Sequence, residues 1–243
     1  MDILAIGNSF SMDAARYLHG IARAAGVNLN IANLFIGGCP LEKHYRNMLS
    51  GERVYGLQFN GEATGFKVAL DEALLNREWD VVTLQQASHL STKLESYEPY
   101  IERLLDYVRE CQPKAKVYLH ETWAYEDGSP RLMNMFGYER YDEMLADVKA
   151  TYYSVYDRLA FDGIIPSGEL LGLLLRSGIE KVHRDTFHAS LGLGRYALGL
   201  LWFRVLTGMT VSDNGFSDFD EPVSDEEISV AKACVESIVT MLS

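Results

Sequence analysis

The sequence has few of the residues that build disulfide frameworks or membrane spans. Only three cysteines occur among 243 residues, and the spacing of Cys39, Cys111 and Cys234 matches neither a zinc site nor a disulfide framework. No apolar run approaches the roughly 20 residues that a membrane-spanning helix needs. The N-terminus also lacks the basic and apolar regions of a secretion signal. We therefore expect a cytoplasmic protein with no membrane partner.

Basic residues are also scarce relative to acidic ones. The chain has 22 Lys and Arg against 34 Asp and Glu, a formal net charge of -12. Such a chain gains no affinity from neutralising phosphates and releasing their counterions, so nucleic acid is a poor partner. The composition, 48% hydrophobic and 23% charged, is typical of globular proteins, and the length suits one α/β domain over residues 1–243.

Short apolar runs alternate with segments of helical periodicity. We predict buried strands at about 2–6, 28–35, 80–85, 115–121 and 161–165. We predict helices at about 14–25, 97–108 and 139–158. Three further helices are predicted to begin near Ser167, after Ser190, and after a capping box formed by Ser224 and Glu227. Right-handed crossovers between such elements give a mostly parallel five-stranded sheet between two helix layers, a three-layer α/β/α sandwich.

Two segments interrupt this pattern. Residues Val54–Phe66 predict a hairpin that turns at Asn60-Gly61, and Ala124–Tyr138 is rich in Gly, Pro and Met. Both segments could flank a pocket as lids, although taken alone each is better explained as a surface loop without function.

Ligands of open α/β sheets bind at the carboxyl ends of the strands, and polar groups follow the first strand directly. Gly7-Asn8-Ser9 ends that strand just before a predicted helix. A serine there suits a nucleophile, because backbone N–H groups at a helix start stabilise developing negative charge. Taken alone, the stretch favours the alternative that Ser9 or Ser11 acts as a helix cap.

A nucleophilic serine needs a base, and the base needs an orienting acid. In the stretch HRDTFHAS, Asp185 stands three residues before His188, a spacing at which the carboxylate can accept the imidazole Nδ1–H. The alternatives are a half-exposed histidine beside a helix start, and a metal site formed with His183. A metal is disfavoured because no fourth ligand is visible.

Donors for an oxyanion follow two further strands. Gly37 and Gly38 come after the second strand, where glycine lets the backbone approach a ligand closely. Gln85, Gln86 and His89 come after the third, and a glutamine amide there could complete an oxyanion hole. Tight turns capped by the same residues are the competing interpretation.

Together these blocks resemble the SGNH (GDSL-like) hydrolase superfamily. The stretches IGNSFS, LQQAS and DTFHASLGLGRYALG are most similar to its DUF4886 branch. The resemblance implies a flavodoxin-like three-layer fold and cofactor-free ester hydrolysis through Ser9, His188 and Asp185, with no metal. It also implies an oxyanion hole made of the N–H groups of Ser9 and Gly38 and one amide.

The chain departs from the superfamily pattern at two places. Asn8 stands where an aspartate usually precedes the serine, and QQASH replaces the usual Gly-x-Asn-Asp block. We assign the missing oxyanion amide to Gln86, with Gln85 and His89 as reserves.

The fourth predicted strand ends in groups that suit a sugar. Glu121 can bind hydroxyls and Trp123 can stack on a pyranose ring, and Gln85 and His89 complete the predicted substrate-binding set. A core tryptophan is the alternative. The sequence therefore predicts an esterase or deacetylase that acts on a glycan ester or a similar small ester. The competing hypotheses are a non-catalytic carbohydrate-binding module and, less favoured because apolar residues occupy the first loop, a phosphate or flavin binder.

Overall fold

Seven strands form one sheet in a computed structural model, which describes residues 1–242. They are β1 (Asp2–Gly7), β2 (Asn30–Phe35), β3 (Tyr55–Phe59), β4 (Glu62–Val68), β5 (Val81–Leu84), β6 (Lys116–Glu121) and β7 (Gly163–Pro166). Their order across the sheet is β4-β3-β2-β1-β5-β6-β7. The five predicted strands are confirmed, and β2, β1, β5, β6 and β7 run parallel.

The predicted hairpin raises the number of strands from five to seven. β3 pairs antiparallel with β2 and with β4, so the hairpin extends one edge of the parallel sheet. Asn60 and Gly61 form its turn at φ 51 and 85, and the Asn60 side chain accepts a hydrogen bond from Ile31 N–H at 2.9 Å. The prediction of five strands missed this pairing because it joins segments that are distant in sequence.

Nine α-helices lie within the described residues. They are α1 (Ser9–Ala15), α2 (Leu18–Ala24), α3 (Leu41–Ser50), α4 (Leu70–Leu75), α5 (Tyr100–Cys111), α6 (Tyr141–Arg158), α7 (Ser167–Arg176), α8 (Leu193–Thr207) and α9 (Asp225–Leu242). Helices α1, α2, α7, α8 and α9 pack together in one layer, and α3, α4 and α5 pack together in another. The three-layer α/β/α sandwich is confirmed.

The helix predicted over 14–25 begins earlier and is broken in the middle. It starts at Ser9 and divides into α1 and α2 around Arg16 and Tyr17. The hairpin turn packs against this break, where a Cβ on Gly61 would lie 2.2 Å from the Arg16 carbonyl oxygen. Glycine is therefore required at this point for close approach as well as for its positive φ.

The sheet places the ends of three strands side by side. In the register between neighbours, Gly7 of β1 lies opposite Phe35 of β2, and Ile6 lies opposite Leu84 of β5. The strand interiors are buried, so the residues that follow each strand are the first ones free to face a ligand.

The predicted capping box of α9 is confirmed, since Ser224 and Glu227 exchange hydrogen bonds of 2.8 and 3.2 Å. No helix within residues 1–242 is long and apolar enough to cross a bilayer.

Candidate active site

Ser9 lies at the carboxyl end of β1 and is the first residue of α1. A Cβ on the preceding Gly7 would lie 2.3 Å from the Ser11 hydroxyl and 2.8 Å from Gln85 Oε1. Glycine ends the strand here because polar side chains pack directly against the backbone. The Ser9 side chain remains partly exposed, and the helix leaves the N–H groups of its first residues without intrahelical partners.

The buried Asn8 side chain connects three parts of the site. Its Oδ1 accepts hydrogen bonds from Phe10 N–H and from Gln85 Nε2, both at 3.0 Å, and its Nδ2 donates to the Cys39 carbonyl at 3.2 Å. Ser11 Oγ accepts from Asn8 N–H at 3.1 Å. Asn8 and Ser11 thus cap α1 together, as predicted for Ser11, and Asn8 also fixes the loop after β2.

Ser9, His188 and Asp185 form a continuous hydrogen-bonded line. His188 Nε2 lies 2.8 Å from Ser9 Oγ, and His188 Nδ1 lies 2.8 Å from Asp185 Oδ2. Burial would raise the pKa of Asp185, but hydrogen bonds from the His188 side chain and backbone outweigh it, and the pKa lies below its ordinary value. An ionised Asp185 holds the proton on Nδ1 and leaves Nε2 to accept a proton from Ser9.

Asp185 and His188 lie on a tight loop between α7 and α8. Arg184 N–H donates to the His188 carbonyl at 3.0 Å, and the Thr186 carbonyl accepts from Glu126 N–H at 2.8 Å. Thr186 has φ 77, a left-handed conformation that β-branched residues rarely adopt. Such strain, typically about 1–3 kcal/mol, persists where surrounding contacts impose it.

Asp13 fastens this loop to the helix that begins at Ser9. Its side chain is fully buried, and its two oxygens lie 3.0 and 2.9 Å from Arg184 Nη1. It also accepts from Arg195 Nε at 2.9 Å and from Ala189 N–H at 3.2 Å. Ser9 and His188 are therefore held in register by a buried carboxylate that joins the two segments carrying them.

The loop after β2, which carries Gly38, also lies against the end of β1. Gly38 has φ 60, and a Cβ there would meet nothing within 4 Å, so glycine is favoured by backbone conformation and not by space. The bond from Asn8 to the Cys39 carbonyl holds this loop against the end of β1. Burial raises the pKa of the Cys39 thiol to about 12, which leaves it protonated and unsuited to be a nucleophile.

An open cleft of about 500 Å³ lies over Ser9 and His188. This Ser9 cleft is lined by Asn8, Ser9, Phe10, Met12, Phe35, Gly37, Gly38, Ser88, His89, Tyr125, Arg131, Met135, Arg184, Phe187 and His188. The segment at 124–138 therefore forms one side of it, as predicted, whereas the hairpin over 54–66 does not line it. A cavity of about 590 Å³ at the opposite, amino-terminal ends of the strands, beside Met1 and Lys116, contains none of Ser9, Asp185 and His188.

A family model matches residues 2–237, nearly the whole chain, and its description is Domain of unknown function (DUF4886). The chain belongs to the DUF4886 family. No curated protein matches this DUF4886 sequence.

Solved structures place the DUF4886 chain on a known fold. It is 30% identical to a DUF4886 protein from Bacteroides uniformis ATCC 8492, with a TM-score of 0.92 and coverage of 99% of this chain and 95% of that one. A candidate SGNH hydrolase from Slackia heliotrinireducens is 19% identical, with a TM-score of 0.60 and coverage of 85% and 98%. A carbohydrate esterase family 3 protein from Talaromyces cellulolyticus is 10% identical, with a TM-score of 0.55 and coverage of 86% and 97%. The fold of this DUF4886 protein is that of the SGNH hydrolases.

The Gln86 side chain does not face the Ser9 cleft of this DUF4886 protein. Its Oε1 accepts from Leu41 N–H at 3.0 Å and from Ala87 N–H at 2.8 Å, and its Nε2 donates to the Ser96 carbonyl and hydroxyl at 3.0 and 3.1 Å. The prediction that Gln86 supplies the oxyanion amide is not supported, because both ends of its amide are bonded within the fold.

Gln85 is also turned inward, so it is neither a cleft residue nor an oxyanion donor. Its amide bridges Asn8 to His120 Nδ1, with a distance of 2.9 Å to the imidazole, and His120 Nε2 lies 2.9 Å from the Ser167 hydroxyl. Burial lowers the pKa of His120 to about 3, so the ring is neutral. These buried side chains form a hydrogen-bonded line that holds Asn8 in place. The prediction that Gln85 contacts substrate is therefore not supported.

Glu121 and Trp123 are buried and do not present a surface to a sugar. Glu121 Oε2 accepts from Gly168 N–H at 3.2 Å, at the start of α7. The Trp123 ring stacks on Phe10 with centroids 4.0 Å apart, and its Nε1 donates to the Phe187 carbonyl at 2.8 Å. Trp123 is therefore a core tryptophan, the alternative given for it above, and it supports the segment that carries His188.

His89 lines the cleft with an exposed side chain and, of the predicted substrate-binding set, is the residue positioned to meet a ligand. His183, considered as a metal ligand, places its Nε2 3.0 Å from the Ala124 carbonyl and is buried. It therefore does not converge with Asp185 and His188. No group of three or more metal-binding side chains is found among the described residues.

Sequence reasoning missed Asp13 and Ser88. Asp13 is the charged residue among the buried positions of α1, and a buried carboxylate is a recognisable sign of an ion pair. Ser88 follows the third predicted strand, as do the glutamines, and only the fold shows that it lines the cleft while they do not.

Proposed function

We propose that this DUF4886 protein is a serine hydrolase of the esterase or deacetylase type. The observation that carries the proposal is the line of 2.8 Å contacts from Asp185 through His188 to Ser9, which opens into the Ser9 cleft. A nucleophile bonded to a base that is itself held by an ionised acid is the arrangement that covalent acyl transfer requires. The SGNH hydrolase fold agrees with this chemistry at the level of architecture.

In the proposed reaction, Ser9 Oγ attacks the ester carbonyl as its proton moves to His188 Nε2. The C–O bond to the alcohol breaks, and His188 returns the proton to the leaving oxygen, which leaves an acyl group on Ser9. Water then repeats both steps, so that an acid is released and Ser9 Oγ is restored. Asp185 stays ionised throughout and stabilises the protonated imidazole.

Three donors are assigned to the tetrahedral oxyanion. Two are the backbone N–H groups of Ser9, at the start of α1, and of Gly38, on the loop after β2 that Asn8 binds. We assign the third to the Ser88 hydroxyl in place of Gln86. Ser88 Oγ lies 2.9 Å from Tyr125 OH, and when Tyr125 donates in that pair, the Ser88 hydrogen is left to point into the cleft.

The substrate assigned to this site is an acylated carbohydrate or a similar small ester. The cleft is open and is bordered by the partly exposed rings of Phe35 and Phe187, which suit the apolar face of a sugar or an aryl group. The carbohydrate esterase among the neighbours in fold agrees with this substrate class.

Steady-state hydrolysis tests the proposal directly. The protein should cleave 4-nitrophenyl acetate and acetylated xylose, and Ser9→Ala or His188→Ala should each lower kcat by more than about 1000-fold. Ser50→Ala changes an exposed serine at the end of α3 and should retain full activity. A wild-type protein that cleaves no ester while still binding glycans would instead support the carbohydrate-binding hypothesis.

A further inference from the structure

The Ser9 cleft differs in charge from the molecule around it. The chain carries a net charge of -12, yet no Asp or Glu is among the described residues that line the cleft. Two arginines line it, Arg131 and Arg184. The Arg184 guanidinium is bonded to Asp13 inside the protein. No carboxylate oxygen of the side chains described within residues 1–240 lies within 4.0 Å of the guanidinium nitrogens of Arg131. One uncompensated positive charge therefore borders the cleft.

Arg131 is held in place beside the base of the triad. Its Cζ lies 4.0 Å from the centroid of the Phe187 ring, and the Phe187 and His188 rings lie 3.9 Å apart. Burial raises the pKa of Tyr125, a shift that its bond with Ser88 and the nearby positive charge of Arg131 oppose. The cation is thus positioned by stacking one ring away from His188.

We propose that Arg131 binds a carboxylate of the substrate, so that the ester cleaved at Ser9 is an anionic one. This inference rests on the proposed hydrolase function and specifies its substrate class. A planar guanidinium matches a carboxylate with two parallel N–H···O bonds. A single uncompensated cation matches one negative charge, whereas a doubly charged phosphate would be repelled by the acidic remainder of the protein. The carboxylate can belong to the sugar, as in a uronic acid, or to the acyl group, as in a half-ester of a dicarboxylic acid.

Matched pairs of esters separate these two sources. The first pair is acetylated methyl glucuronide against acetylated methyl glucoside, and the second is 4-nitrophenyl succinate against 4-nitrophenyl butyrate. We expect kcat/KM to favour the charged member of one pair by about tenfold, the value of one partly exposed charge-assisted contact. In Arg131→Gln this ratio should fall to about one, and Arg131→Lys should retain part of it. Arg46→Gln removes an exposed arginine of α3 and should leave the ratio unchanged.

Two different failures can be told apart. If the neutral esters are cleaved as well as the charged ones, and Arg131→Gln does not change the ratio, the inference is wrong while the hydrolase function stands. If no ester is cleaved, the hydrolase function fails, and calorimetric titration with acetylated methyl glucuronide and with succinate decides the inference by itself. Binding that weakens about tenfold in Arg131→Gln supports an anion site, and equal binding or none overturns it.

Discussion

The fully buried Asp13 and the partly buried Arg184 form an ion pair across 171 residues of sequence, with the Asp13 oxygens 2.9 and 3.0 Å from Arg184 Nη1. Asp13 belongs to the helix that begins at Ser9, and Arg184 directly precedes Asp185. The pair therefore joins the two segments that must meet for Ser9 and His188 to be hydrogen-bonded. The geometry of the candidate triad therefore depends on a contact outside it.

Asp13→Asn should destabilise the fold and weaken the candidate triad. The change leaves Arg184 without a counter-charge, while Arg195 keeps its pair with Asp220, and losing one partner of a buried pair costs about 3 kcal/mol or more. The free energy of unfolding, measured in urea, should fall by about that amount. Glu78→Gln removes an exposed pair with Lys114 and should change it by less than about 1 kcal/mol. Equal effects of the two changes would show that the Asp13 pair does not stabilise the loop.

Asn8→Asp should reduce kcat with little change in KM. The aspartate keeps the shape and the acceptor bonded to Phe10 N–H, but it loses the N–H that Asn8 donates to the Cys39 carbonyl. The loop that carries Gly38 then loses its attachment to the end of β1. We expect a decrease of about tenfold, the cost of losing roughly 1.4 kcal/mol of transition-state stabilisation. Asn76→Asp, at an exposed position after α4, should have no effect, and an unchanged kcat in Asn8→Asp would contradict the positioning role.

Ser88→Ala tests the third oxyanion donor. Removing one such donor lowers kcat by about 100-fold in other enzymes, and the same loss of kcat with a small change in KM is expected here. The measurement is steady-state hydrolysis of 4-nitrophenyl acetate, with the unfolding midpoint recorded as a check on the fold. If kcat is retained in Ser88→Ala but lost in His89→Ala, the donor is His89 and the assignment to Ser88 is wrong.

Glu121→Gln should change how stability depends on pH. Burial, reinforced by the nearby Glu169, raises the pKa of Glu121 to about 8, well above its ordinary value of 4.5. The unfolded chain ionises this group near pH 4.5 and the folded protein only near pH 8, so stability present at low pH is lost as the pH rises through this range.

The loss in the wild type is at most about 1.4 kcal/mol per pH unit. Gln cannot ionise, so this component should be absent in the variant. The unfolding free energy of Glu121→Gln minus that of the wild type should therefore be larger at pH 8 than at pH 5. The same difference at both values would contradict the raised pKa.

The candidate site residues whose location follows from the ends of strands could be predicted from the sequence. Ser9, Gly38 and the Asp185-His188 pair each stand immediately after a strand or in a loop, where chain position alone brings them to one edge of the sheet. Their residue types then specify the chemistry. The five parallel strands were predictable for a related reason, since buried runs between amphipathic helices leave few topologies.

Side-chain direction was not predictable. Gln85 and Gln86 follow the same strand as Ser88, yet their amides bond Asn8 and Ser96 inside the fold while Ser88 faces the cleft. Glu121 and Trp123 likewise end a strand, and packing against neighbouring helices and loops buries both. The pairing of the hairpin with β2 and the ion pair of Asp13 join residues far apart in sequence, which periodicity does not reveal.

Covalent labelling of Ser9 tests the central claim most directly. A fluorophosphonate probe reacts with a serine only when a base activates it, so intact-mass spectrometry of the treated protein should show one adduct and peptide mapping should place it on Ser9. His188→Ala should lose the adduct while retaining the wild-type unfolding midpoint. An unlabelled wild type, or a label that persists in Ser9→Ala, would contradict a catalytic role for the Ser9–His188–Asp185 line.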